Sequence, residues 1–214
     1  MNHFAMAILM ALVATPVVAE TCAPSTLTRI VTRSVGPDIV RGSFRAEPIT
    51  LYRKGQQFLR HEEAPEPERR QHLLTIVSTP DIWIVNQLAN TGKHLVDPGP
   101  VFGAKAPIVA GRDVPTSFSE LEFGCESAFA KARARAAGVR TLDGRSINVY
   151  ALQDGDRRLE ISLIGADIPV EVTYYQGARV VLMIRYDAFE SGLPDNPQLF
   201  EKPSGVTFAD GAPR

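Results

Sequence analysis

The sequence predicts a mainly β chain with helices, an α+β fold built on one strongly curved antiparallel sheet or unclosed β-barrel with one or two helices packed on it. Three observations carry this. Apolar and polar residues alternate over short runs from Val40 to Asp97 and again from Ser146 to Tyr186, as in strands with one buried face. Turn formers such as Lys54-Gly55, Asp143-Gly144 and Asp154-Gly155 punctuate those runs. One stretch, Cys125 to Ala137, has the Ala, Arg, Lys and Glu content of a helix and stops at Gly138.

Taken in order, residues 1–19 read as a secretory signal: Ala5 to Val13 is continuously apolar, and Val17-x-Ala19 is a small-residue cleavage site before Glu20. Thr15-Pro16 interrupts the run, which argues against a membrane anchor. Residues 20–214 are expected to form a single exported domain, periplasmic and not integral to a membrane. Leu27 to Val35 reads as a short helical entry with Ile30 and Val31 on its apolar side. Strands are predicted at Gly42–Ala46, Ile49–Arg53, Gln56–Arg60, Leu73–Val77, Ile82–Val85 and His94–Val96. The charged, proline-bearing tract Glu62–Arg70 reads as an exposed loop tip.

Between Asp97 and Thr116 the pattern is broken by Pro98, Gly99, Pro100, Gly103, Pro107, Gly111 and Pro115 into a long irregular segment, the kind that forms lids, binding loops or disordered stretches. Ser117 and Glu120 offer a capping box for an early helix start, while the alternation from Phe118 to Phe123 fits a strand equally well. In the helix proper, Cys125, Ala128, Phe129, Ala132 and Ala136 share an apolar face, and Lys131, Arg133 and Arg135 form its wet side. Ser146–Leu152, Leu159–Ile164, Val170–Tyr174 and Arg179–Tyr186 complete nine or ten strands.

The 23 basic and 24 acidic residues interleave and leave a formal charge of -1, so no basic footprint for nucleic acid exists. Cys22 and Cys125 are the only two cysteines, and in an exported chain an even count suggests a structural disulfide. Closing a loop of about 100 residues stabilises by roughly 4–5 kcal/mol on the chain-entropy model. The competing readings lack their signatures. Lipidation of Cys22 wants a small residue directly before it, where Thr21 stands. A redox pair wants Cys-x-x-Cys, and a metal site needs more ligands than two distant thiols.

The terminus Phe200-x-x-Pro203-x-Gly205-Val206, following the strand Val180 to Tyr186, resembles that of the periplasmic lipoprotein-sorting carriers and their LolA-like relatives. Ile76-Val77-Ser78-Thr79-Pro80-Asp81-Ile82-Trp83 is similar to their hairpin, in which a strand reaches a proline and an aromatic-bearing strand returns. Thr79 stands where the sorting carriers usually have an arginine, and the Asp97–Thr116 segment and the cysteine pair lie outside their pattern. The resemblance implies an unclosed antiparallel barrel whose concave apolar face is covered by helices and suits a lipid or acyl chain.

No enzyme motif is present: the chain has no Gly-x-Ser-x-Gly elbow, no His-Glu-x-x-His and no phosphate-binding glycine loop. No cofactor is implied. His61, His72 and His94 fall in three predicted strands and read as surface residues rather than metal ligands, even with Glu62, Glu63 or Asp97 nearby. Phe44, Tyr52, Phe58, Trp83, Tyr150, Tyr174, Leu182 and Ile184 are the candidates to line a cavity, or else an ordinary core. A hollow barrel would make the protein a non-catalytic carrier of a lipid-like or acylated ligand. A filled one would make it an accessory module that binds an envelope protein.

Overall fold

A computed structural model describes residues 22–97, 99, 102–110 and 113–210; the signal assigned to residues 1–19 lies outside them. Twelve strands form one unclosed sheet. They are β1 (Leu27–Val35), β2 (Ile49–Lys54), β3 (Phe58–Glu62), β4 (Leu73–Ser78), β5 (Asp81–Asn86), β6 (Thr91–Val96), β7 (Arg135–Leu142), β8 (Arg145–Asp154), β9 (Arg157–Ile164), β10 (Ile168–Gln176), β11 (Arg179–Leu193) and β12 (Thr207–Asp210). Two helices, α1 (Thr116–Ser119) and α2 (Glu126–Arg133), lie between β6 and β7. The strand order is β12-β6-β5-β4-β3-β2-β1-β11-β10-β9-β8-β7. Neighbours are antiparallel except β12, which runs parallel to β6.

Leu27–Val35 is therefore a strand, not the predicted helical entry, and it sits between β2 and β11 near the middle of the sheet. Thr28, Ile30, Val31, Thr32 and Val35 are β-branched and favour the pleated backbone, and ladders on both sides outweigh any local helical pattern. Gly42–Ala46 forms no strand; Phe44–Ala46 is a single 3-10 turn. The predicted helix to Ala137 divides in two. It ends at Arg133, Ala134 turns extended at φ -99 and ψ 163, and the chain then pairs with β8 as β7. Gly138, predicted as the helix stop, instead takes φ 122 at a register shift in β7, a bulge.

Pro115 precedes α1 with no side-chain cap, so the Ser117/Glu120 box does not form, and the Phe118–Phe123 alternation yields one bridge, Lys105 to Glu122. The β7–β8 turn follows its sequence: Asp143 and Gly144 have φ of 49 and 74, both positive as a type I′ hairpin requires.

Because the sheet does not close, the chain must travel from β6 at one side to β7 at the far edge, and residues 102–110 and 113–134 lie across one face, here called inner. Their side chains Ile108, Phe118, Leu121 and Phe129 pack with Ile161 of β9 and Ile184 of β11 in the main core cluster. The chain leaves β11 and crosses the opposite, outer face to reach β12 beside β6. Phe200 from this second crossing packs with Leu27, Leu74, Ile76, Trp83 and Val85.

The inner crossing is fastened by charge as well as by packing. Arg53 and Glu122 are 0% and 1% exposed and paired at 3.0 Å. Arg53 also donates to the carbonyls of Phe123 at 2.6 Å and Cys22 at 3.2 Å. Glu122 accepts from the Ala104 backbone at 2.6 Å and forms an ion pair, without a directed hydrogen bond, with Lys105 at 3.1 Å. One turn on, Glu126 Oε1 accepts from Tyr186 Oη at 2.7 Å and from the Gly124 N–H at 3.2 Å. Burial pushes the Glu126 carboxyl up, against the opposing pull of Tyr186 and Arg53. A disulfide joins Cys22 to Cys125 across 103 residues and ties the start of the described chain to α2.

Two outcomes follow from this network. Arg53→Met strands a buried carboxylate and should lower the unfolding free energy by about 3–5 kcal/mol, whereas Arg53→Met with Glu122→Leu should lose less than the single change. Denaturant titration of Arg53→Met, Glu122→Leu and the double variant checks this; a double variant as weak as the sum of the singles would show that the two side chains are not coupled. Glu126 has a folded-state pKa raised above its unfolded value, so its contribution is complete in acid and declines as pH rises through the folded value. Glu126→Gln should therefore make the melting temperature less pH-dependent above the ordinary carboxyl value of 4.5, and an unchanged slope in calorimetry would remove Glu126 as the cause.

Candidate functional site

Strand alternation sends Arg53 and Lys54, adjacent in β2, to opposite faces. Arg53 is locked into the inner network, and Lys54 projects outward beneath the second crossing. There its Nζ lies 2.5 Å from Asp195 Oδ2, with the two side chains 35% and 62% exposed. A cavity of 260 Å³ opens beside this pair. Its apolar lining comes from Leu27 at the start of β1, Phe58 at the start of β3, and Pro197 and Phe200 of the 3-10 turn Pro197–Phe200. Ser78 at the end of β4, Asn196 and Glu201 add polar groups around it. The Phe58 and Phe200 ring centroids are 5.3 Å apart with a 42° tilt. The lining residues from β1 to β4 sit at one end of the sheet because β1 and β3 begin where β2 and β4 finish.

The sheet divides the eight residues predicted to line a cavity. Tyr174, Leu182 and Ile184 are buried in the inner cluster, with Tyr150 packed against it. Trp83 is buried in the outer cluster, with Tyr52 and Phe58 packed against it. Phe44 sits in the loop between β1 and β2, half-buried. Phe58 alone among the eight lines the 260 Å³ cavity. Inward-facing Leu73, Ile84 and Leu95 belong to neither cluster and are half-buried, so the inner face is less covered over β4–β6 than over β8–β11.

The histidines are set apart. His61 lies on β3 in register with Leu51 and Thr75; its Nε2 has no hydrogen-bond partner among the described residues, and burial pulls its pKa down. His94 faces outward, 2.7 Å from Asp81 Oδ1 and stacked on Trp83 at 5.8 Å. His72 precedes β4, outside any strand, within 3.5 Å of Glu62. Among the described residues no group of three or more His, Cys, Asp or Glu is placed to hold a metal ion.

Sequence reasoning missed Lys54, Ser78, Asp195, Asn196 and Glu201, which sit at element ends where alternation says nothing of their neighbours. It also missed Arg53, Glu122 and Glu126. A signal existed for Arg53, which follows Leu51 with inward parity in a strand whose inner face is apolar. Glu126 takes the inward slot on α2, and Ala128 and Ala132, predicted to face the core, are exposed.

The chain matches no protein-family model and no curated protein. Among solved structures it is similar to an uncharacterized conserved protein from Thermus thermophilus, with a TM-score of 0.51 and 12% identity, over 87% of this chain and 91% of that one. A DUF1329 family protein from Desulfovibrio piger aligns with a TM-score of 0.30 and 8% identity, over 83% and 90% of the two chains. PNGF-II aligns with a TM-score of 0.36 and 8% identity, over 87% of this chain and 32% of its own length. At 12% identity the Thermus likeness is one of fold, and it extends over nearly the whole of both chains.

Proposed function

We propose that this chain is an exported, non-catalytic protein of the periplasm that binds or carries a lipid-like or acylated ligand, held in the cavity beneath its C-terminal crossing. The observation that carries this reading is the 260 Å³ cavity itself, with an apolar lining of Leu27, Phe58 and Phe200 and a polar edge of Lys54, Ser78 and Asn196. An apolar pocket with a few convergent polar groups is what a small amphiphile requires, and each buried methylene contributes about 0.8 kcal/mol. The likeness of the Phe200–Val206 terminus and of the β4–β5 hairpin to the LolA-like carriers supports the class of ligand. The cysteine pair supports export, since disulfides persist in oxidising compartments. No helix among the described residues is long and apolar enough to cross a membrane.

A second reading, a module that binds an envelope protein, has one observation in its favour. β7 is an edge strand, exposed from Arg135 to Thr141, and could add a partner strand.

Native mass spectrometry of the protein purified gently from the periplasm, with uptake of a neutral fluorescent apolar probe, tests the first reading. A bound amphiphile is expected, and Ser78→Phe should weaken probe uptake at least about tenfold by filling the cavity, with the fold retained. Uptake that survives Ser78→Phe would move the ligand to the half-covered inner face by Leu73, Ile84 and Leu95. A clean apo mass with no uptake would move the assignment to the β7 edge.

A further inference from the structure

We infer that the polar end of the ligand in this cavity is a quaternary ammonium group, with Glu201 as its counter-charge and Phe58 and Phe200 as its aromatic neighbours. The inference rests on the ligand-binding reading above and adds the chemical class of the head group. Three charged side chains line the cavity: Lys54, Asp195 and Glu201. Lys54 and Asp195, 2.5 Å apart, neutralise each other. Glu201 makes no ion pair among the described residues, so the lining keeps one uncompensated carboxylate. The next cation along the chain, Lys202, sits 5.1 Å over the ring of Phe208, which is not part of the lining.

Each type of head group meets this lining differently. An anionic head would face Glu201 and would have to displace Asp195 to reach Lys54. A neutral head would leave the Glu201 charge as it is. A cation supplies the missing sign and breaks no existing pair. Glu201 is exposed, so its attraction alone is modest. The second contribution is aromatic, since a cation within about 6 Å of a ring centroid is drawn to its face and gains more as it is desolvated. Phe58 and Phe200 both line the cavity, with their ring centroids 5.3 Å apart. A quaternary ammonium gives up its hydration more readily than a primary one, and its methyl groups suit the apolar lining.

The test is calorimetric titration of the full exported chain with octyltrimethylammonium, octanol and octanoate, each below its micelle concentration or solubility limit, so that the head group varies and the alkyl tails differ by no more than one methylene, a factor of about four. The cation should bind roughly tenfold more tightly than octanoate, with octanol between them. Glu201→Gln, an exposed and conservative change, should weaken the cation about two- to fivefold and leave octanol unaltered. Phe200→Leu should weaken the cation more than octanol. Octanoate binding as tightly as the cation, or a cation affinity unchanged by Glu201→Gln, overturns the inference and leaves the binding reading intact. Uptake of none of the three overturns both.

Discussion

Arg53 is the point on which the two faces of the sheet depend. Its guanidinium, fully buried, joins the sheet to the inner crossing through Glu122 and Phe123 and to the start of the chain through Cys22. An open twelve-stranded sheet exposes an apolar inner face that must be covered, and here the cover is a connection with little regular structure of its own. Hydrophobic contact is non-directional and would tolerate several placements of such a segment. A buried, multiply bonded charge tolerates one, because any other leaves Arg53 or Glu122 desolvated without a partner.

The same strand then sets the outer face. Once Arg53 is fixed, the pleat leaves Lys54 one direction, outward, toward Asp195 on the second crossing. The inner network thus positions the cavity without touching it. Gly55, next in sequence, donates its N–H to the Pro24 carbonyl at 2.7 Å and so joins the end of β2 to the segment held by the disulfide. The order of causes runs from the inner core through the β2 backbone to the outer site.

Much of the fold was legible because alternation is a local signal. The runs at Ile49–Arg53, Leu73–Val77, Leu159–Ile164 and Arg179–Tyr186 became strands, and Asp143-Gly144 became the tight turn its residues favour. Leu27–Val35 was misread because its strand character comes from β2 and β11, which are distant in sequence. Ala136 and Ala137 were misread because helix propensity yields to a partner strand that a local pattern does not reveal. The site was less legible than the fold. Period-two alternation assigns a side chain to a face, but not whether Tyr174 and Tyr52 share that face or which segment will cross it. Nothing in the spacing of Glu122 and Glu126 announces an inward Arg53.

The two crossings are held with unequal strength, and this bears on where the fold can admit a guest. The inner one is secured by a disulfide, a fully buried ion pair and a cluster that includes Phe118, Leu121 and Phe129. Moving it would strand buried charges at a cost of several kcal/mol. The outer one is secured by Phe200, by partly buried Leu199, Val206 and Phe208, by the four-residue strand β12, and by an ion pair exposed enough to contribute no more than about 1 kcal/mol. Local opening favours the segment with fewer buried contacts, and of the two crossings that is the roof over Leu27 and Phe58. Opening that roof would leave the Arg53–Glu122 pair in place, whereas opening the inner crossing would break it.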